Sequence, residues 1–300
     1  MEKTRGSLNI MKLINTLLLF FLILLTTSCT DTALLFINSL AKFGSYTSHL
    51  NVNYNKQTQT PLDIYLPDNV SDLNQQTLPT VVFFYGGCWG ACSDLDKTDY
   101  QFIAQTLTSN NMIAVIVDYR KYPEVLFPDI IKDAALSVEW VSKNISSYQG
   151  NPQNIYLMGH SAGAHLASML TYNKAYLTNK TYKSIKGFIG LAGAYDFLPF
   201  DEPYQPALFA PLTKPADSQT INFVEGNEPP ALLLYGNTDK RVKRRNIISL
   251  TKMIKDKNGK VETHFYDDIN HTGILSALSI PFRASKPILN DILKFIKITI

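Results

Sequence analysis

Two hydrophobic patterns alternate along the chain from about residue 46 onward. Short, nearly continuous apolar runs such as 80–85 and 112–117 are typical of strands covered on both faces in a mostly parallel sheet. We predict strands near residues 48–54, 62–66, 80–85, 112–118, 154–158, 185–191, 231–235 and 261–266. The segments between these strands carry apolar residues at helical spacing instead.

Residues 128–147 are the clearest predicted helix. Their apolar side chains recur every three or four residues on one face, whereas Lys132, Glu139 and Lys143 fall on the opposite face. The apolar face consists of Ile130, Ile131, Ala134, Ala135, Val138, Val141 and Ile145. Because strands and helices alternate, the sequence predicts an α/β fold: a three-layer α/β/α sandwich around a mostly parallel, eight-stranded sheet.

Residues 194–230 interrupt this alternation. Their prolines exclude a long regular helix, and Phe197, Phe200, Tyr204 and Phe209 lie between these prolines. The segment is long for a plain connection, so we expect a lid-like excursion from the sheet, with a packed surface loop as the alternative.

The amino terminus has the pattern of an export signal. An apolar run at 13–25 follows Lys12, and it is shorter than the roughly 20 residues that a membrane-spanning helix needs. Small residues then precede Cys29, which resembles a bacterial lipoprotein signal. We therefore expect a signal peptide at 1–28, lipid attachment at Cys29, a tether at 29–44 and one catalytic domain at 45–300.

A cleaved signal peptide without lipid, or a retained amino-terminal anchor, are the alternatives. Each of them places the folded part of the chain outside the cytoplasm, and lipidation would tether it to a membrane facing the periplasm or cell exterior. Disulfides form in such compartments, so the sequence leaves open whether Cys88 and Cys92 are bonded to each other.

Composition narrows the class of protein. Hydrophobic residues make up 45% and charged residues 18% of the chain, which excludes a disordered or low-complexity protein. The net charge of +3 is small, and most of it lies in residues 1–28. We therefore expect no nucleic-acid partner. The spacing of cysteine and histidine predicts no metal site, and the absence of a phosphate loop gives no reason to expect a cofactor.

The strongest chemical motif is Gly159-His160-Ser161-Ala162-Gly163, which connects the predicted strand 154–158 to a helical segment. In this context the motif forms a sharp turn, because only glycines on both sides let the strand and the helix approach closely. The turn lifts the serine hydroxyl above the sheet and directs the N–H groups of the helix toward developing negative charge. Ser161 is therefore the predicted nucleophile.

A serine nucleophile needs a base and an acid that orients the base. His271, in the loop after the last predicted strand, is the expected base, and Asp239, after the strand 231–235, is the expected acid. The order Ser161, Asp239, His271 is the one that this fold uses. Asp196 is the alternative acid. The other histidines, His49, His160, His165 and His264, are expected to have packing or surface roles.

The loop at 85–90 contains a pair of glycines, which allow its backbone N–H groups to turn toward a pocket. We expect the oxyanion donors to be Gly87, Cys88 and Ala162. Gly86 and Trp89 are expected beside the substrate, although core packing is the competing role for the tryptophan.

These motifs, taken together with the segments 85–89 and 118–123, resemble the α/β-hydrolase superfamily. They are most similar to bacterial carboxylesterases of the hormone-sensitive-lipase-like and feruloyl-esterase-like groups, and kynurenine formamidase-like enzymes are also similar. The resemblance implies a Ser161–His271–Asp239 triad that cleaves a small-molecule ester through an acyl-enzyme. It departs at Tyr85, where most relatives have histidine, and at Cys88, where a small or apolar residue is usual.

Two other functions remain open on the sequence. The same triad cleaves amides, so an amidase or arylformamidase is one alternative, and a catalytically silent binding protein of the envelope is the other. The basic run 240–245 is expected to be either a solvated helix start or a face toward anionic lipid.

Overall fold

An eight-stranded sheet forms the centre of the structure, a computed structural model that describes residues 29–68 and 77–299. In chain order the strands are β1 (Tyr46–Asn55), β2 (Thr60–Pro67), β3 (Leu78–Phe84), β4 (Ile113–Val117), β5 (Gly150–His160), β6 (Ile185–Leu191), β7 (Ala231–Gly236) and β8 (Val261–Tyr266). Every predicted strand is present. Most bounds agree to within two residues, whereas β5 begins four residues earlier than predicted.

The strand order across the sheet is β1-β2-β4-β3-β5-β6-β7-β8. The pairs β1–β2 and β2–β4 are antiparallel, and every other pair is parallel. All residues of β4 and of β7 are buried, as expected for strands with helices on both faces. The predicted mostly parallel sheet is therefore confirmed.

Helices flank the sheet on both faces and complete the three-layer fold. Within residues 29–68 and 77–299 they are α1 (Cys29–Ala41), α2 (Gln101–Thr108), α3 (Phe127–Asn144), α4 (Ala162–Tyr172), α5 (Asn179–Ser184), α6 (Gln205–Leu208), α7 (Arg245–Asp256), α8 (Gly273–Ser276) and α9 (Ile288–Thr299). The predicted helix 128–147 corresponds to α3, which has Pro128 in its first turn and is followed by a short 3-10 turn at Ile145–Tyr148. None of the helices in the described ranges is both long enough and apolar enough to span a membrane.

The segment 29–44, expected to be a tether, contains α1, which packs against α2. Ile37 and Ala41 of α1 are buried in the core. The side chain of Asn38 fixes the contact, because its Nδ2 donates to the main-chain oxygen of Asp99 and its Oδ1 accepts from the N–H of Phe102. This helix is therefore docked on the folded unit. The predicted signal segment, residues 1–28, lies outside the described residues.

The proline-rich segment 194–230 leaves the carboxyl end of β6 and returns at β7, with α6 and two short 3-10 turns along it. Phe197 and Phe209 are buried, and their rings lie 5.5 Å apart between centroids. The segment therefore has an aromatic core of its own, packed against the sheet domain. Prolines stop regular structure here, while aromatic side chains supply the packing.

The two edge strands of the sheet differ from the central ones. The pairing of β1 with β2 shifts register between His49 and Val52 and again between Asn53 and Asn55. At the other edge, Phe265 of β8 is covered by the guanidinium of Arg244, which lies 4.6 Å from the centre of the ring.

Candidate active site

Ser161 lies in a strained turn between β5 and α4. Its φ of 54° and ψ of −120° are unusual for a residue with a side chain, and its N–H donates to the main-chain oxygen of Leu191 over 2.9 Å. The flanking glycines are required sterically: a Cβ at Gly159 would lie 2.3 Å from the oxygen of Gly163, and a Cβ at Gly163 would lie 2.1 Å from the oxygen of Phe84. The structure thus shows the strand–turn–helix geometry that the motif predicts.

His271 and Asp239 are paired beside this turn. Nδ1 of His271 lies 2.8 Å from Oδ2 of Asp239, whose side chain is fully buried. The other carboxylate oxygen of Asp239 accepts from the N–H groups of Arg241 and Val242, over 2.8 and 3.0 Å. Because both oxygens are occupied in this way, the carboxylate is fixed, and it fixes the imidazole in turn. Asp239, and not Asp196, is therefore the carboxylate that orients His271.

His160 forms a hydrogen bond with the main chain of His271. Its Nε2 donates to the main-chain oxygen of His271 over 2.9 Å, and the two rings lie 4.7 Å apart between centroids. Burial, and secondarily the charge on His271, lower the pKa of His160 to about 3. His160 is therefore a neutral hydrogen-bond donor, a role that the sequence did not predict because the two residues are 111 positions apart.

The remaining histidines have the packing and surface roles expected of them. His165 is fully buried, and its Nε2 lies 2.8 Å from the main-chain oxygen of Ser218, in the segment 194–230. Burial lowers the pKa of His165 to about 4. His49 contacts the ring of Tyr148, and His264 pairs with Glu262 over 2.7 Å.

The loop after β3 has an unusual backbone. Gly87, Cys88 and Trp89 have φ values of 105°, 56° and 58°, so three consecutive residues lie in the left-handed region. A disulfide joins Cys88 to Cys92 and closes the loop, with Cα atoms 5.3 Å apart. This answers the question that the sequence left open, because the cysteines are bonded.

The predicted oxyanion donors share one property. The N–H groups of Gly87, Cys88 and Ala162 donate no hydrogen bond to any acceptor within residues 29–68 and 77–299. Since buried or half-buried N–H groups are normally paired, these three are available to an oxygen atom of a ligand. Cys88 and Ala162 both line a cavity with Ser161, and Gly87 lines a second one with it.

Tyr85, where the resemblance led us to expect histidine, packs beneath the loop after β3. Its hydroxyl donates to Oδ1 of Asp118 over 2.9 Å, and its ring is stacked between those of Tyr100 and Tyr119, with centroid distances of 5.4 and 4.8 Å. Tyr119 donates in turn to the main-chain oxygen of Tyr85 over 2.9 Å. Burial raises the pKa of Asp118, whose Oδ1 also accepts from the N–H of Lys97. The tyrosine therefore holds the start of the loop in place.

Ser161 lies between two cavities. The small cavity, of about 170 Å³, is lined by Cys88, Trp89, Ser161, Ala162 and residues of the segments 194–205 and 240–246. The large cavity, of about 530 Å³, is lined by Ser161 and His271 and by a mainly apolar wall that consists of Leu34, Ile37, Leu95, Tyr100, Phe102, Leu275 and Phe282. A third cavity, of about 540 Å³, lies at the amino-terminal end of β6–β8, remote from Ser161. Open α/β sheets bind ligands at the carboxyl ends of their strands, and Ser161 follows the carboxyl end of β5.

The two predicted substrate neighbours differ in position. Trp89 lines the small cavity while being almost fully buried against Phe209 and His165, at centroid distances of 5.3 Å each. Gly86 lies beneath the turn, where a Cβ would be 3.1 Å from the Cβ of Ser161. Gly86 therefore permits the close approach of the loop to the turn, and it lines neither cavity.

The basic side chains of the run 240–245 are exposed or half-buried and lead into a helix, as the interpretation of a solvated helix start predicts, but the sequence did not predict that they line a cavity. Lys240, Arg241, Lys243 and Arg245 line the small cavity, and α7 begins at Arg245. Arg241 also lines the large cavity. The only sequence signal for this position was that the run directly follows Asp239, so that both lie at the carboxyl end of β7. Within the described ranges, no three His, Cys, Asp or Glu side chains are grouped so as to hold a metal ion.

Comparison with known proteins identifies similar sequences. The BD-FAE family model matches residues 62–254. The chain is 27% identical over 271 residues to the isoprenylcysteine alpha-carbonyl methylesterase of Arabidopsis thaliana, covering 80% of this chain and 60% of that one. It is 32% identical over 155 residues to a kynurenine formamidase of Salmo salar, covering 52% and 49%. The chain thus spans about 60% of the length of the curated relatives that match it over most of its length.

Among solved structures, the esterase from the archaeon Pyrobaculum calidifontis has a TM-score of 0.70 with 18% identity. The match covers 89% of this chain and 90% of that one. At this identity the likeness shows a shared fold, and it confirms the predicted architecture of the sheet and its helices.

Proposed function

Because the chain belongs to the BD-FAE family of α/β-hydrolases, we propose that it hydrolyses carboxylic esters through an acyl-enzyme on Ser161. The observation that carries this proposal is the fixed His271–Asp239 pair, whose histidine lines a cavity together with Ser161. The unpaired N–H groups of Gly87, Cys88 and Ala162 support it, since they supply donors for an oxyanion.

The first half of the reaction forms the acyl-enzyme. Oγ of Ser161 attacks the ester carbonyl carbon while Nε2 of His271 accepts the hydroxyl proton, and Asp239 stabilises the resulting imidazolium. The carbonyl oxygen becomes an oxyanion that accepts hydrogen bonds from the three free N–H groups. When the intermediate collapses, the bond from carbon to the alcohol oxygen breaks, and His271 gives its proton to the departing alcohol.

The second half repeats these steps with water. His271 takes a proton from the water that attacks the acyl carbon, and it returns that proton to Oγ of Ser161 as the carboxylic acid leaves. Pre-positioned donors and an oriented base lower the barrier in both halves, because they need no rearrangement as charge develops.

Hydrolysis of p-nitrophenyl acetate by the full chain tests the proposal. We expect turnover that falls by at least about 10³-fold in Ser161→Ala, since loss of a triad member removes the covalent step. Ser147→Ala, at an exposed serine, is the matched control and keeps the wild-type rate. A fluorophosphonate should label wild type once, at Ser161. Equal rates in wild type and Ser161→Ala, with no label at Ser161, would instead favour the silent binding protein.

An amidase or arylformamidase is the second candidate, and the likeness to kynurenine formamidase favours it. The same triad cleaves an amide, provided that His271 protonates the leaving nitrogen. Comparing kcat/KM for N-formylkynurenine with that for phenyl acetate separates the two activities. A value at least tenfold higher for the formamide would replace the esterase assignment.

We propose further that the chain is exported and lipid-anchored at Cys29. Support comes from the apolar run at 13–25, and from the Cys88–Cys92 disulfide, since such bonds persist in oxidising compartments. Exposed Leu35 and Phe36 on α1, followed by Phe43, give an apolar surface close to the anchor position. Cys29→Ser should release the protein from the membrane fraction on cell lysis, with Ser39→Ala as control. Retention of Cys29→Ser with membranes would contradict lipidation there.

A further inference from the structure

The small cavity has four basic lining residues, of which only Arg241 also lines the large cavity. Its basic lining residues are Lys240, Arg241, Lys243 and Arg245, and its acidic ones are Asp201 and Glu202. Lys243 and Asp201 form an ion pair. Three cations therefore remain against one carboxylate, so the small cavity is positively charged beside the nucleophile.

Arg241 is a basic residue of this cavity that contacts the disulfide in the loop after β3. Its Nη1 lies 3.5 Å from Sγ of Cys88 and 3.4 Å from Sγ of Cys92, so the guanidinium rests on the disulfide. Within residues 29–68 and 77–299 the guanidinium has no carboxylate partner. Sulfur is a weak acceptor and Arg241 is exposed, so its guanidinium is accessible to an anionic ligand.

Two further donors of the small cavity lack acceptors. Nε1 of Trp89 and Nε of Arg245 are buried, and neither has a hydrogen-bond partner in the described part of the chain. Unpaired buried donors are costly and uncommon in native proteins. Both atoms lie behind the surface of the small cavity, so the guanidinium of Arg241 is the group that acceptor oxygens of a ligand would meet there.

The position of His271 decides which half of an ester occupies each cavity. His271 must protonate the leaving alcohol, so the alcohol has to lie on its side of Ser161. His271 lines the large cavity and does not line the small one. The alcohol half therefore occupies the large, mainly apolar cavity, and the acyl half occupies the small, positively charged one.

We propose that the substrates are monoesters of a short dicarboxylic acid with an apolar alcohol, whose free carboxylate binds Arg241. This inference rests on the proposed esterase function and names its substrate class. The volume of about 170 Å³ limits the acyl group, since a cavity of roughly 150 Å³ holds a benzene ring. A succinyl group is of that size, and its carboxylate complements the excess positive charge of the cavity.

The test compares two esters of benzyl alcohol with acyl groups of equal length. Benzyl hydrogen succinate carries the carboxylate and benzyl pentanoate does not. We expect the full chain to hydrolyse the succinate with kcat/KM at least tenfold above that of the pentanoate. Arg241→Gln should reduce this ratio about tenfold, and Arg241→Lys should restore part of it, because lysine keeps the charge. Lys252→Gln, at an exposed lysine of α7, should leave both rates unchanged.

A ratio near one in wild type, or a ratio that Arg241→Gln leaves unchanged, would overturn the inference while the esterase function stands. Binding to Ser161→Ala, measured by calorimetry, gives the same comparison without turnover. There the succinate should bind at least tenfold more tightly than the pentanoate, and Arg241→Gln should remove the difference. Equal affinities would overturn the inference even if neither ester is hydrolysed, whereas absence of hydrolysis with selective binding would overturn only the esterase function.

Discussion

His160 holds the main chain of His271 through a hydrogen bond of 2.9 Å from Nε2 to the carbonyl oxygen. A carbonyl oxygen only accepts, so the proton of the neutral imidazole is on Nε2. With its pKa lowered to about 3, the ring carries no charge at neutral pH. His160 therefore positions the loop of His271, and because it is neutral it does not oppose the positive charge that His271 acquires in the proposed reaction.

The first prediction concerns this contact. His160→Ala should lower kcat about fivefold to tenfold with little change in KM, because the hydrogen bond is worth about 1 kcal/mol. His160→Gln, which keeps an N–H donor, should recover most of the loss. Steady-state kinetics of both variants on p-nitrophenyl acetate checks this. Equal kcat values for Ala and Gln would contradict a positioning role through this bond.

The second prediction separates the two candidate acids. Asp239→Asn should lower kcat by about 10³–10⁴-fold, because the amide cannot hold the required tautomer of His271 or stabilise its charged form. Asp196→Asn should change kcat less than threefold. A large loss in Asp196→Asn, with a small one in Asp239→Asn, would reverse the assignment that the 2.8 Å contact supports.

The third prediction concerns the support beneath the oxyanion loop. Tyr85→Phe removes one of the two donors to Oδ1 of Asp118, a half-buried carboxylate. The free energy of unfolding should fall by about 1–2 kcal/mol in urea titrations. Tyr46→Phe is the control, because its hydroxyl makes no hydrogen bond in the described ranges, and it should change stability by less than about 0.5 kcal/mol. Equal effects of the two substitutions would show that the Asp118 contact contributes nothing.

The fourth prediction is a pH dependence of stability. The pKa of His165 is about 4 in the folded state, against about 6.5 for an ordinary histidine in the unfolded chain, so the unfolded chain binds more protons between these values. Stability should therefore fall as pH decreases from 6.5 to 4, by on the order of 3 kcal/mol from this residue. His165→Gln keeps a donor to Ser218 and should flatten the fall between pH 7.5 and 4.5. A slope equal to that of wild type would exclude His165 as its cause.

The fifth prediction concerns the disulfide. Cys92→Ser should lower the free energy of unfolding by about 2 kcal/mol, since the closed loop is short. It should also lower kcat, because the disulfide no longer closes the loop that contains the left-handed residues Gly87, Cys88 and Trp89. Dithiothreitol should lower wild-type activity to the level of this variant. A wild type that is unaffected after verified reduction would show that the loop keeps its form without the bond.

Local patterns predicted the parts of the molecule that local chemistry determines. The apolar run 231–235 became a fully buried strand, and the glycines around Ser161 produced the turn. Contacts between distant residues carry no such pattern. Tyr85 and Asp118 are 33 positions apart, and Arg241 and Cys88 are 153 apart, so their pairing follows from the assembled sheet. The sequence therefore predicted the candidate catalytic residues better than the distant contacts that hold them in place.

Helix α1 is an instructive exception. Leu34, Ile37 and Ala41 recur at helical spacing, and the last two are buried. The signal was therefore present, but the preceding apolar run suggested a simple tether. Only the docking of Asn38 on the backbone of Asp99 and Phe102 shows that the helix belongs to the folded unit.

The edges of the sheet bear on how the protein behaves in a crowded solution. An open strand invites another chain to extend the sheet, but two register shifts make β1 an irregular template. On β8, Arg244 over Phe265 puts a charge where an incoming strand would need an apolar face. Both edge strands thus disfavour aggregation by strand pairing. The features responsible lie away from the carboxyl ends of the central strands, where Ser161 is located.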